Sequence, residues 1–169
     1  MKYTEGAFRE WAYGAAKAYG DHVGFDGEEN KIVFNDRIAD NMFMQVILMP
    51  EEYDLLLCPN LNGDYLSDAC AALVGGLGVA PGVNIGKGLA LFEPVHGSAP
   101  DLAGKNMANP TAMLLSAVLM LRHIEENTAA DRLEAAIAAV LKEGRDVTAD
   151  LGGRASTSGY ADAVIAKML

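Results

Sequence analysis

The sequence predicts an α/β fold. Segments with helical apolar spacing alternate with short apolar runs suited to strands, and 51% of the 169 residues are apolar, enough for one sizeable core or parts of two lobes. No internal repeat or low-complexity tract interrupts that alternation. In residues 5–19, Phe8, Trp11, Ala12, Ala15, Ala16 and Tyr19 recur at three and four. This spacing predicts an amphipathic helix with Thr4 as its cap and Gly20 at its end. A polar loop follows, and residues 31–34 (KIVF) read as a short strand. Asp36 is placed to cap a helix through Ile38, Met42 and Val46 that Pro50 stops. Residues 53–58, an apolar run closed by Pro59, have the composition of a strand covered on both faces. A helix then runs from about Asp64 to Val74. Residues 75–88 read as loop and short strand, residues 89–92 as another buried strand, and residues 93–109 as a loop. Pro110 suits the first position of a long apolar helix ending near His123. Residues 129–142 carry an alanine-rich amphipathic pattern, Gly152 and Gly153 break the chain, and residues 160–168 close it with a last helix.

The formal charge of -10 leaves no basic stripe for a phosphate backbone, so neither nucleic acid nor an anionic membrane is expected as a partner. The longest apolar stretch, residues 112–121, is too short to span a bilayer and contains Ser116. No secretory or transmembrane segment is visible. Cys58 and Cys70 have neither metal-ligand nor redox spacing, and with eight methionines they suit a reducing compartment, the cytoplasm or a mitochondrial matrix.

Two stretches carry chemistry. In NLNGDYLSD, Asp64 and Asp68 are four apart, so a helix sets both carboxylates on one face, one turn apart. Oxygen-only ligands favour Mg²⁺ or Mn²⁺ over zinc, and a helix N-terminus would partly offset the repulsion between the two charges. The plainer alternative makes Asp64 a helix-dipole residue and Asp68 a solvated one. Asp36 and Asp40 form a second pair at the same spacing, and either could be an ordinary cap. The glycines of GGLGVAPG do not complete a dinucleotide fingerprint, because Gly76 and Gly78 are followed by Pro81, and no Walker-type Gly-Lys-Ser/Thr is present. A better nucleotide candidate is HGSAPDLAG, from His96 to Gly104. Its small residues expose backbone N–H groups, and Asp101 could accept hydrogen bonds from a ribose 2′-hydroxyl while repelling a 2′-phosphate. A tight surface loop with His96 bonded to a backbone carbonyl is the alternative.

Taken together, NLNGDYLSD, GGLGVAPGVNIG and LFEPVHGSAPDLAGKNMANP resemble the isocitrate and isopropylmalate dehydrogenase family of metal-dependent decarboxylating dehydrogenases, and isocitrate dehydrogenase more than isopropylmalate dehydrogenase. The resemblance covers essentially the whole chain. It implies that Asp64 and Asp68 bind the metal, with Asp40 a third carboxylate given to a neighbouring subunit. It implies that Glu93, His96, Gly97, Ser98, Ala99, Asp101, Leu102 and Asn109 hold the nicotinamide cofactor. Asp101-Leu102 stands where NADP-using members tend to have Lys-Tyr, and Ala149 and Gly153 stand where some carry tyrosine and arginine, so the resemblance implies NAD rather than NADP.

Residues 1–74 would then be the rear part of a small dimerisation and metal domain, and residues 75–169 the rear part of a large cofactor domain. The family's substrate-carboxylate arginines, serine contact, catalytic tyrosine and catalytic lysine lie upstream of the segment matched here. No complete catalytic set is therefore expected in this chain, which would be a C-terminal portion acting on isocitrate, or a related 2-hydroxy diacid, only with an N-terminal half. Homodimerisation or association with that half is expected, with Leu66, Ala69, Leu73 and Val74 of the helix after Asp64 as interface residues. Two other readings stand beside it: a non-catalytic metal- or nucleotide-binding module for assembly or regulation, and a dehydrogenase of another substrate such as 3-isopropylmalate.

Overall fold

The computed structural model describes residues 3–25 and 31–169, so the polar loop after Gly20 lies partly outside the described residues. By its contacts the chain divides into two compact units, Met1–Ser67 and Asp68–Leu169.

The first unit opens with α1, Thr4–Ala18. Thr4 does not cap it: Tyr3 already has helical backbone angles (φ -85, ψ -49), which puts Thr4 inside the first turn, and no side chain caps the helix. One face of α1 carries Tyr13, whose ring stacks at 5.8 Å on Phe25 and meets Phe34 edge-on at 5.0 Å. Immediately before each of those phenylalanines lies a short strand, β1 (Val23–Gly24) and β2 (Ile32–Val33), and the two pair in parallel with Val23 opposite Ile32. Helix α2 spans Ala39–Leu48 after an extended Ile38, with Met42 and Val46 buried as their spacing predicts. Asp36 is not its cap. Its carboxylate is taken by α1: Tyr13 O–H donates to it at 2.7 Å and Arg9 pairs with it at 2.9 Å. The Arg9 guanidinium beside Asp36 holds that carboxyl below its usual range, and the bond to Asp36 raises the Tyr13 phenol.

Residues 53–58 do not form the expected covered strand. Both sheets among the described residues are two-stranded and neither includes this run, so Leu55 stays 82% exposed. A strand needs a hydrogen-bonded neighbour, and apolar composition alone does not supply one. Tyr53 instead donates its hydroxyl to Gln45 Oε1 on α2.

Helix α3, Asn60–Leu73, passes through the division between the units and starts four residues earlier than predicted, with Gly63 N–H bonded to Pro59 O. In the second unit β3 (Pro81–Gly86) and β4 (Leu89–Pro94) form an antiparallel hairpin with Gly86 opposite Leu89. Its two-residue loop needs Gly88, which sits at φ 83. The strand predicted at residues 89–92 is not buried on both sides. Leu89 and Leu91 face out while Ala90 and Phe92 are half-buried, because helix α4 (Thr111–His123) packs on one face of the hairpin only. Pro110 precedes α4 as its cap residue and not as its first turn. The core lies where α4, α5 (Asn127–Glu143) and α6 (Thr157–Met168) meet, around Val118, Ile137, Val140, Val147, Tyr160 and Val164. Ser156 caps α6 by accepting the Gly159 N–H at 3.0 Å.

Candidate functional site

Because α3 begins at Asn60, Asp64 lies past its first turn and Asp68 a turn further on, both exposed. The expected help from the helix N-terminus is therefore weak, since the dipole's influence fades beyond the first turn. Asn60 Nδ2 lies 3.4 Å from Asp64 Oδ2, and the Ser67 hydroxyl donates to Asp64 O at 3.1 Å. Asp40 sits in the first turn of α2, where its carboxylate accepts the Asn41 N–H at 2.6 Å. Among the described residues no group of three or more His, Cys, Asp or Glu side chains is brought together to hold a metal. Leu66, expected at an interface, is buried within the chain, whereas Leu73 and Val74 are exposed.

The loop expected from residue 93 starts at Val95, because Glu93 and Pro94 still pair with Gly82 and Pro81 as the end of β4; the segment 93–109 is anchored at both ends. At its start the Ser116 hydroxyl on α4 donates to Glu93 O at 2.9 Å, and Asn84 Nδ2 on β3 donates to Glu93 Oε1 at 3.1 Å, orienting that carboxylate across the hairpin. His96 Nδ1 lies 2.9 Å from Gly97 O; a carbonyl only accepts, so Nδ1 is the donor in this contact. Gly97 and Ser98 are exposed. Ala99 is held at φ 41, ψ 62, a left-handed conformation that costs a non-glycine residue about 1 kcal/mol. The chain then enters the short 3₁₀ turn Pro100–Leu102, where Leu102 N–H bonds to Ala99 O at 2.9 Å and Asp101 and Leu102 stand exposed.

Downstream, the loop is strapped to the start of α6. Asn106 Oδ1 accepts the Ser158 N–H at 3.0 Å, Asn106 O accepts the Thr157 N–H at 3.0 Å, and the Thr157 hydroxyl donates to Ala108 O at 2.6 Å. A surface cavity of about 300 Å³ opens there, bordered by Lys105, Met107, Ala149 and Arg154. At its far end Asn109 is buried. Its Oδ1 accepts from Thr111 N–H at 2.9 Å and from the Thr111 hydroxyl at 2.6 Å, and its Nδ2 donates to Asp150 Oδ2 at 2.8 Å. Tyr160, fully buried, has its hydroxyl 2.8 Å from Thr111 Oγ1, and burial raises its pKa.

His96, Gly97, Ser98, Ala99, Asp101, Leu102 and Asn109 thus lie along one anchored loop that follows Glu93 at the end of β4, and Asp64 and Asp68 lie one turn apart along α3. The family model for isocitrate/isopropylmalate dehydrogenase matches residues 2–164. The chain belongs to this family. An isocitrate dehydrogenase [NADP] of Archaeoglobus fulgidus is 48% identical over 180 residues, covering 98% of this chain and 44% of that relative. A probable isocitrate dehydrogenase [NAD] subunit alpha, mitochondrial, of Drosophila melanogaster is 53% identical over 138 residues, covering 82% of this chain and 37% of that relative. The crystal structure of isocitrate dehydrogenase from Methylococcus capsulatus superposes with a TM-score of 0.87 at 45% identity, covering 99% of this chain and 47% of that one. The chain therefore spans less than half the length of these family members. Its fold is that of the family, helix-rich with small sheets.

Sequence reasoning missed Asn84, Asn106, Ser116 and Asp150, which hold the candidate residues in place. Their partners lie 9 to 52 positions away, so no local spacing marks them.

Proposed function

We propose that this chain supplies metal carboxylates and the cofactor loop of an NAD-linked isocitrate dehydrogenase, which oxidatively decarboxylates isocitrate to 2-oxoglutarate. One observation carries the reading: a chain of this family presents two solvent-facing carboxylates one turn apart on α3 together with an anchored loop whose exposed turn bears Asp101. The donor chemistry fits the groups the reaction needs. Asp64 and Asp68 are hard oxygen donors suited to Mg²⁺ or Mn²⁺, and Asp40 of a neighbouring subunit would add a third. When bound, the metal ion polarises the substrate's hydroxyl and adjoining carboxylate and the nicotinamide accepts hydride. Asp101 accepts hydrogen bonds from the adenosine ribose hydroxyls, and the exposed backbone of Gly97 to Ala99 lets a dinucleotide approach closely. The Glu93 carboxylate, oriented by Asn84, and His96 would also help to hold the cofactor.

Support for NAD over NADP comes from Asp101, whose charge disfavours a 2′-phosphate, and from Gly153. A Cβ added at Gly153 would lie 2.0 Å from Val147 O, so no arginine side chain is accommodated there without moving the backbone. In the same proposal residues 1–74 belong to a small dimerisation and metal domain and residues 75–169 to a large cofactor domain, with isocitrate as the small-molecule partner.

The test is isocitrate-dependent NADH formation in Mg²⁺, followed by absorbance. The 169 residues alone should give none, and addition of the N-terminal half of the Archaeoglobus fulgidus relative should restore it. Asp64→Asn or Asp68→Asn in the restored enzyme should cut turnover by about a hundredfold or more. Turnover by the 169-residue chain alone, or indifference to both substitutions, refutes the assignment.

A further inference from the structure

We propose that Asp150 is a positioning residue that fixes the end of the cofactor loop, an inference that rests on the cofactor reading above. Its carboxylate is a two-sided acceptor. Oδ2 takes the Asn109 amide at 2.8 Å, and Oδ1 takes the Thr148 hydroxyl at 2.6 Å. Both partners are buried, Thr148 at 0% and Asn109 at 9% exposure, whereas Asp150 itself reaches the surface. The carboxylate therefore ties the last residue of the 93–109 loop to the segment following α5, the same segment that contributes Ala149 to the cavity beside Lys105.

A third chain segment closes on the same pair. A Cβ built at Gly78 would lie 3.3 Å from both Asn109 Nδ2 and Asp150 Oδ2, so the turn Leu77–Val79 packs its backbone directly against this bond. The other end of the Asn109 amide is used up by Thr111 at the start of α4. Asn109 thus has its carbonyl committed to α4 and one amide N–H to Asp150, which gives the loop one fixed end. Charge-assisted acceptance strengthens that end, since a bond to an ionised carboxylate is worth roughly twice a neutral one.

The test is a double-mutant cycle on the full chain, read by NADH fluorescence titration, by hydrogen exchange of the residue 101–109 amides and by thermal melting. Asp150→Ala should weaken NADH binding about tenfold and speed exchange in the loop, with the α4–α5–α6 core amides unchanged. Asn109→Asp should do worse, because it sets two carboxylates face to face. The swap N109D/D150N keeps every donor opposite an acceptor and should return loop exchange and NADH affinity to within about threefold of the parent. If Asp150→Ala lowers the melt globally, the swap decides: recovery of fold and affinity together supports the proposal, and recovery of the fold without loop protection overturns it. A D150A protein that binds NADH and exchanges like the parent also overturns it. Absence of NADH binding by the parent protein sinks the nicotinamide reading instead, and loop exchange across the cycle then judges Asp150 by itself.

Discussion

Among the glycines of the described residues, Gly153 leaves the least room for a side chain. An added Cβ would fall 2.0 Å from Val147 O and 2.7 Å from Val147 Cγ2, while the Gly153 N–H is bonded to Thr148 O and the Ala155 N–H to the same Val147 O. The backbone is pinned on both sides and has no direction in which to yield. Gly153→Ala should therefore cost about 2–4 kcal/mol, measured as a lowered denaturant midpoint with an unchanged slope. Residue by residue, the placement of Asp64 and Asp68 one turn apart on a helix and of Asp101 in an exposed turn was legible in the sequence, because near neighbours carry it: a four-residue helical spacing and a turn of small residues. The Asn109–Asp150 and Thr111–Tyr160 bonds were not, since their partners lie 41 and 49 positions apart and meet only after α4, α5 and α6 have packed.

At the scale of elements, periodicity located helices better than strands. The predicted helices over residues 5–19, 110–123 and 129–142 stand within a few residues of α1, α4 and α5. Each buries a stripe set by its own sequence. Residues 53–58 failed as a strand, and β4 proved half-exposed, because a run of leucines encodes burial but not the neighbour that provides it. Helix α3 starts four residues before the expected Asp64, because Gly63 N–H finds Pro59 O and the helix includes Asn60-Leu61-Asn62-Gly63 despite their weak helix propensity. The start of α6 was likewise missed, because its signal is the Ser156 cap and not apolar spacing. Ser156→Ala should lower stability by about 1 kcal/mol, visible in the thermal midpoint, and should speed amide exchange at Gly159 first.

For the whole molecule, family membership and fold rest on a match running through residues 2–164 and a superposition covering 99% of the chain. No helix among the described residues is long and apolar enough to cross a membrane. Relatives named for NADP and for NAD both align with this chain, and the NAD reading proposed above rests on Asp101 above all. The most direct measurement is a pair of equilibrium fluorescence titrations, NADH against NADPH, on the parent chain and on Asp101→Ala. NADH should bind at least about tenfold more tightly than NADPH, and Asp101→Ala should erase most of that preference by weakening NADH and admitting the 2′-phosphate. Tighter binding of NADPH by the parent, or binding of neither nucleotide, would contradict the account.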